Sequence, residues 1–165
     1  MTEGGAGGGT GGGTRRTLAE LKVPSEPGNE RRAMEEVAGV VGGLGLDGRT
    51  MERLKTAVAE ATMNAMEHGN HYREEAPVLI EVAATPADLS VRITDEGTGP
   101  AAFDPETPDL EAKLGGTQTP RGWGLFLIKS MVDEMNVTGD ESHHTVELIL
   151  HLDQREEESD GREAL

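Results

Sequence analysis

The chain has 165 residues, a formal net charge of −16, no cysteine and only 2% aromatic residues. The lack of cysteine excludes disulfide frameworks, thiolate zinc sites and cysteine nucleophiles, and the acidic charge disfavours direct binding to nucleic acid. No apolar run reaches the roughly 18 residues of a membrane-spanning helix, and no secretory signal pattern is present, so we expect a cytoplasmic protein that does not contact the membrane.

Two ends of biased composition flank one domain-sized segment. Residues 1–16 are nearly all Gly and Thr, and residues 153–165 are densely charged. Neither segment can bury enough apolar surface to offset the entropy lost on ordering. We therefore predict a disordered Gly-rich tail over 1–16, a folded domain over 17–152 and a loose acidic tail over 153–165.

The first half of the domain predicts one strand and two helices. TLAELKV, residues 17–23, alternates as a strand. Helix one begins near Gly28–Asn29 and is broken by GGLGLDG. Helix two begins at Asp47 or Thr50 and is closed by His68–Gly69, where the glycine lets the chain turn away. The apolar stripe of helix two consists of Met51, Leu54, Val58, Ala61 and Ala65.

The second half predicts a hairpin, a long loop, a helix and two strands. VLIEVAA (78–84) and LSVRITD (89–95) form the hairpin, and residues 100–121 form a loop that is long enough to be functional. WGLFLIKSMVDEM (123–135) is an apolar helix, followed by a short strand and a last strand, TVELILHL (145–152). The order βααββ–loop–αββ predicts an α/β two-layer sandwich, a mixed and mostly antiparallel sheet with its helices on one face.

Two common motif interpretations do not fit this context. GLGLDG (43–48) matches GxGxxG, but it follows a helix instead of a strand, which does not suit a dinucleotide-binding turn. Two histidine pairs, His68 with His71 and His143 with His144, lack a third ligand at a supporting spacing, so we expect no histidine metal site.

The first motif with chemical potential lies in AEATMNAMEHG, residues 59–69. Glu60, Asn64 and His68 are spaced by four residues and therefore lie one turn apart on nearly the same face of the helix. An amide oxygen together with nucleotide phosphates suits Mg²⁺, and a carboxylate one turn away suits proton transfer. Taken alone, the same spacing is equally typical of an amphipathic helix with a polar edge.

Two further motifs follow along the chain. In ITDEGTG, Asp95 ends a strand and precedes Gly97 and Gly99; the carboxylate can accept a hydrogen bond from an amine, although such a sequence is also an ordinary turn. In RGWGL, Gly122 and Gly124 stand at a helix start, where free N–H groups and the helix dipole attract anions. The three motifs in this order are more specific than any one of them.

In these motifs the chain resembles the Bergerat-fold ATPases, also called GHKL or histidine-kinase-like ATPases. This superfamily includes gyrase, the ninety-kilodalton chaperones, sensor histidine kinases and mismatch-repair ATPases. More narrowly, the chain resembles the bacterial anti-sigma-factor serine kinases. The resemblance covers about residues 18–152 and rests on LKVPSEP, AVAEATMNAMEHG, ITDEGTG and GWGLFLIKSMVDEM.

The resemblance implies a role for each matched position. Glu60 would orient or deprotonate the attacking hydroxyl, and Asn64 would bind Mg²⁺. Asp95 would accept a hydrogen bond from the adenine amine, with Gly97 and Gly99 shaping the floor of the pocket.

The matched stretch RGWGL would form the phosphate side of the pocket. Gly122 and Gly124 would bound the lid and face the phosphates, and Leu125 would complete the nucleotide site next to them. Arg121 is our candidate for balancing the phosphate charge, because no lysine occupies an obvious place for that role.

The resemblance also implies three less direct roles. Thr145 matches a family hydroxyl near the adenine, and His68 matches a position that we expect to support the loop by packing. Helix one contacts the protein partners in related kinases, and here Glu30, Arg31 and Arg32 fall in that neighbourhood.

The function implied is that of an ATP- and Mg²⁺-dependent serine/threonine protein kinase that binds and sequesters a sigma factor. The kinase would phosphorylate a serine on a small anti-sigma-factor antagonist, by in-line transfer from ATP, and would act as a homodimer. One alternative is a nucleotide-binding switch that grips a regulatory partner without transferring a phosphoryl group. A second is the catalytic module of a histidine kinase, which the lack of a phosphoacceptor helix disfavours.

Overall fold

The computed structural model describes residues 14–97 and 120–152, except for the side chains of 120–123. The described strands are β1 (Arg16–Val23), β2 (Val78–Ala84), β3 (Asp88–Asp95), β4 (Glu134–Gly139) and β5 (His144–His151). The described α-helices are α1 (Asn29–Val41), α2 (Gly48–Asn64) and α3 (Pro120–Met131), with a 3₁₀ turn at Gly42–Leu44 and a π-helical turn at Ala65–Gly69. Residues 1–13 of the predicted tail 1–16, the predicted tail 153–165 and residues 100–119 of the predicted loop lie outside the described residues. The end of the first predicted tail is ordered, since Arg16 already belongs to β1.

The sheet has the strand order β1-β2-β3-β5-β4 in the described part of the chain, and every neighbouring pair in it is antiparallel. Alternate strand residues face the helices and are buried there, because successive side chains point to opposite faces of a sheet. The core contributed by the sheet includes Ile80, Val82, Val91, Ile93, Leu148 and Leu150. The helices cover this face with Val37, Leu54, Val58 and Ile128, which confirms the predicted two-layer α/β sandwich.

Helix α2 begins and ends with defined local structure. The side chain of Asp47 accepts a hydrogen bond of 2.7 Å from the amide of Thr50, which caps the helix at its predicted start. At the other end, the amide of Asn70 donates to the carbonyl of Ala65 over 2.8 Å, an i→i+5 bond that closes a π-helical turn. Such turns occur frequently at functional sites.

Helix α3 differs from its prediction at both ends. It begins at Pro120, a favourable first helical residue because proline lacks the amide hydrogen that would stay unbonded there. It ends at Met131 instead of Met135, since the amide of Asp133 donates to the carbonyl of Ile149 over 3.0 Å and Glu134 then pairs with β5. Sheet pairing therefore overrides the helical pattern of these last residues. Within the described residues, no helix has the length and apolar character needed to cross a membrane.

Candidate nucleotide-binding site

Glu60 and Asn64 lie on α2 and face the beginning of α3. A β-carbon added at Gly124 would lie 2.9 Å from Nδ2 of Asn64 and 3.0 Å from Oε2 of Glu60. Both separations are shorter than the optimal contact between non-bonded heavy atoms. Glycine at position 124 thus lets the α3 backbone approach both side chains, and the fold brings the first and third sequence motifs together.

Glu60 is half-buried and electrostatically perturbed. Burial raises the pKa of its carboxyl group, and the nearby carboxylate of Glu30, in the first turn of α1, raises it further. A carboxylate with a raised pKa is a stronger base than an ordinary glutamate. This environment suits a group that accepts a proton.

Asn64 is only 8% exposed, and its Nδ2 has no hydrogen-bond partner within the described residues. A buried amide without partners costs free energy, and a ligand beside it would remove that cost. Its oxygen suits Mg²⁺, a cation that prefers oxygen ligands and shares them with nucleotide phosphates. Within the described residues, no group of three or more His, Asp or Glu could hold a metal ion by itself.

Asp95, at the end of β3, is 5% exposed and packs directly on Gly69. A β-carbon at Gly69 would lie 2.2 Å from Cγ of Asp95, so any other residue at position 69 would displace the carboxylate. The chain turns away only afterwards, at His71 and Tyr72, whose φ angles are 52° and 55°. The turning role that the sequence suggested for Gly69 is therefore wrong: the glycine makes room for Asp95.

The orientation of the Asp95 carboxylate is fixed by two neighbours. The amide of Gly97 donates to Oδ1 of Asp95 over 2.7 Å, and Nδ1 of His144 lies 3.3 Å from the same oxygen. A β-carbon at Gly97 would lie 2.7 Å from Nδ1 of His144, so this glycine accommodates the imidazole. His144 was missed by the sequence analysis, where it was considered only as a metal ligand; its strand register, directly opposite Asp95, carries the signal.

Thr145 lies apart from this cluster. It pairs with Thr94 across β3 and β5, and the two hydroxyl oxygens are 2.9 Å apart. Adjacent strand residues point to opposite faces, so Thr145 is on the face away from the helices, whereas His144 is on the face that carries Asp95. His144 therefore occupies the place beside Asp95 that the resemblance assigned to Thr145.

The remaining predicted site residues are placed as follows. Gly122 lies in the first turn of α3, where backbone N–H groups lack helical partners. The side chain of Leu125 is buried in the hydrophobic core, so only its backbone is available to a nucleotide. Gly99 and the side chain of Arg121 lie outside the described residues.

His68 is separated from the other two members of its sequence stripe by the π-helical turn. Its Nε2 lies 3.9 Å from Oε1 of Glu67, an exposed neighbour. Because the turn after Asn64 is wider than an α-helical turn, a spacing of four residues no longer returns to the same face. The supporting role expected for His68 stays a prediction.

Comparison with known proteins gives a family and a fold. Residues 23–150 match the model of the histidine kinase-like ATPase domain. The serine-protein kinase RsbW of Oceanobacillus iheyensis is 30% identical over 129 residues, which cover 72% of this chain and 77% of the relative. The serine-protein kinase RsbW of Bacillus subtilis is 31% identical over 127 residues, which cover 72% of this chain and 76% of the relative.

Two solved structures share the fold at low sequence identity. The RsbU and RsbW domains of Rv1364c from Mycobacterium tuberculosis superpose with a TM-score of 0.58 and 15% identity, over 80% of this chain and 31% of that one. The SiaB-SiaC complex from Pseudomonas aeruginosa gives a TM-score of 0.56 and 13% identity, over 82% of this chain and 90% of that one. The chain belongs to the family of histidine kinase-like ATPase domains and is a relative of the serine-protein kinases named RsbW.

Proposed function

We propose that this protein is an ATP-dependent serine kinase that transfers the γ-phosphoryl group of ATP to a serine of a small regulatory protein. The observation that carries the proposal is the contact of Gly124 with both Glu60 and Asn64. It joins a base, an amide ligand and a helix start in one place, and these are the groups that phosphoryl transfer requires.

The adenine side of the site is separate from the transfer side. Asp95, oriented by Gly97 and His144, would accept a hydrogen bond from the exocyclic amine of adenine. The free N–H groups in the first turn of α3, among them that of Gly122, would bind phosphate oxygens. In this arrangement ATP would extend from the end of β3 to the start of α3, with its γ-phosphate near Glu60.

The transfer itself needs little covalent chemistry from the protein. Glu60 accepts the proton of the serine hydroxyl while the serine oxygen forms a bond to the γ-phosphorus and the bond from phosphorus to the leaving ADP oxygen breaks. Asn64 would hold Mg²⁺ together with the phosphates, and the bound ion would supply charge neutralisation for the leaving group. The raised pKa of Glu60 favours proton acceptance in this step.

The partners are proposed from the resemblance to the anti-sigma-factor serine kinases. The relatives named above are serine-protein kinases, and a structural neighbour was solved as a two-protein complex. We propose that this protein binds a sigma factor, phosphorylates a small anti-sigma-factor antagonist in the cytoplasm and acts as a homodimer. α1, whose Glu30 lies close enough to Glu60 to raise its pKa, would be the contact surface for the substrate protein.

The test is a transfer assay with labelled ATP. The full chain is incubated with MgATP and candidate antagonist proteins recovered by pull-down from its own cytosol. We expect label on a serine of the antagonist, and we expect Glu60→Ala to bind ATP but to transfer no label. Tight MgATP binding without any transfer by the wild-type protein would favour a non-catalytic nucleotide switch instead.

A further inference from the structure

Asn70 is a fully buried polar residue that none of the steps above uses. It follows the π-helical turn directly and is 0% exposed. Its Nδ2 donates to Oγ of Ser25 over 3.1 Å and to the carbonyl of Ala76 over 2.8 Å. Its Oδ1 accepts a hydrogen bond of 2.7 Å from the amide of Glu96. Both amide hydrogens and the amide oxygen thus form hydrogen bonds, each to a different segment.

The bond to Glu96 places Asn70 next to the adenine side of the site. Glu96 lies between Asp95 and Gly97, so its amide is part of the peptide bond that joins it to Asp95. The amide of Gly97 in turn donates to that carboxylate. Holding the amide of Glu96 therefore fixes the turn that orients Asp95.

The other two bonds fix Asn70 itself. Ser25 is buried, and its hydroxyl donates to the carbonyl of Ala76 over 2.5 Å. Ala76 is also buried and lies two residues before the start of β2. Asn70 is thereby tied to the start of the sheet and to the connection between β1 and α1, which makes it a rigid support for the turn at residues 95–97.

We propose that Asn70 is a positioning residue for nucleotide binding, which orients Asp95 and so sets both the affinity for ATP and the preference for adenine over guanine. The inference rests on the proposed function, in which Asp95 accepts a hydrogen bond from the exocyclic amine of adenine. A side chain that only stabilised the fold would not change the preference between two bases. That difference separates a positioning role from a structural one.

The experiment compares Asn70→Ala with Ser25→Ala, in the full chain. Ser25→Ala removes two bonds of the same buried network, the one that Ser25 donates to Ala76 and the one that it accepts from Asn70. It leaves the bond between Asn70 and Glu96 intact, so it controls for lost stability. By calorimetry, we expect Asn70→Ala to weaken ATP binding about tenfold, the effect of one hydrogen bond, and to reduce the ratio of ATP to GTP affinity. Ser25→Ala should lower the melting temperature while leaving that ratio unchanged.

Three results would overturn the inference. ATP affinity in Asn70→Ala equal to that of the wild type would overturn it alone, as would an equal loss of selectivity in both variants. Absence of ATP binding by the wild-type protein would overturn it together with the function on which it rests. If Asn70→Ala does not fold, hydrogen exchange in the wild type decides: the amide of Glu96 should exchange as slowly as the paired amides of β3, and fast exchange would contradict a held turn.

Discussion

Gly69 and Asp95 fit together because one of them has no side chain. The two residues are 26 positions apart, yet the site of a β-carbon on Gly69 lies only 2.2 Å from Cγ of Asp95. The glycine that ends the helical segment thus lies against the residue that we propose as the acceptor for adenine. The end of the π-helical turn and the end of β3 therefore pack against each other at this one contact.

Gly69→Ala should displace the Asp95 carboxylate and so weaken ATP binding at least tenfold. Inserting a methyl group into such a packed site also costs about 1–3 kcal/mol of stability. Gly39→Ala is the matched control, because a β-carbon there meets no atom within 4 Å and a helical alanine should stabilise by about 0.5–1 kcal/mol. Calorimetry with ATP and urea unfolding measure both effects; equal ATP affinities in the two variants would contradict the contact.

Gly124→Ala should act on the transfer step. The added methyl group would push Glu60 and Asn64 apart from the α3 backbone, because its carbon would lie 2.9 to 3.0 Å from their polar atoms. We expect phosphoryl transfer to slow by about 10- to 100-fold, as for small misplacements of reacting groups. Single-turnover transfer from labelled ATP, beside a melting curve that shows a folded protein, measures this. A transfer rate within twofold of wild type would exclude close approach of Gly124 to the reacting groups.

The acid dependence of transfer should report Glu60 and its neighbour Glu30. Burial and then the Glu30 carboxylate raise the pKa of Glu60, so Glu60 becomes protonated, and transfer falls, at a pH above the ordinary range for a glutamate. Glu30→Gln removes the like charge, which should move the acid side of the pH–rate profile to lower pH. Glu35→Gln, on the exposed side of the same helix, should leave the profile in place. A profile that is the same in all three proteins would remove Glu60 from the proton transfer.

Asn64→Ala should weaken ATP binding mainly in the presence of Mg²⁺. The amide is the described side chain that best fits an ion shared with phosphates, and its loss leaves the adenine contacts of Asp95 intact. Titration with ATP in excess Mg²⁺ and in excess chelator gives the two affinities for each protein. An equal loss under both conditions would assign Asn64 to packing instead of metal binding.

The sheet edge carries a pH-dependent stabilisation through His151 and Glu134. Their Nε2 and Oε2 atoms are 2.6 Å apart, and this hydrogen bond raises the pKa of His151 from its usual value of 6.5, with burial opposing it and the carboxylates of Asp133, Asp88 and Glu134 adding to it. The stabilisation is therefore complete below the unfolded-state pKa near 6.5 and is lost as the pH rises through the higher folded-state value. In urea unfolding at a series of pH values, Glu134→Gln should flatten this decline. His143→Asn, in an exposed histidine, should not alter it.

Much of the architecture could be predicted from hydrophobic period alone. The stripe of α2 and the alternation of β2 and β3 identify their elements within one residue or so, because each buries one face of a regular structure. The end of α3 could not be found this way. Val132 to Met135 continue the apolar pattern of the helix, but β5 binds their backbone at Asp133 and Glu134, and a local pattern contains no information about that distant strand.

Candidate site residues could be predicted where their proposed role follows from residue type and order. They were missed where the role depends on contacts in the folded chain. Glu60, Asn64 and Asp95 stand in recognisable motifs, and Gly124 is brought against the first two as the motifs suggested. Asn70 and His144 stand in no recognisable motif, and His144 is found only through the strand register that places it opposite Asp95. Their proposed roles depend on contacts across 26 and 49 residues to Glu96 and Asp95, which only the folded chain defines.

The π-helical turn at Ala65–Gly69 changes the direction in which the helical residues face, between the two halves of the candidate nucleotide site. Asn64 and Glu60 precede it and are aligned with α3, whereas Gly69 and Asn70 follow it and are aligned with the end of β3. Deleting one residue from this turn would restore ordinary winding and rotate the following residues by about 100° relative to the preceding ones. The proposed metal side and the proposed adenine side would then keep their own residues but would no longer be oriented to bind one nucleotide together.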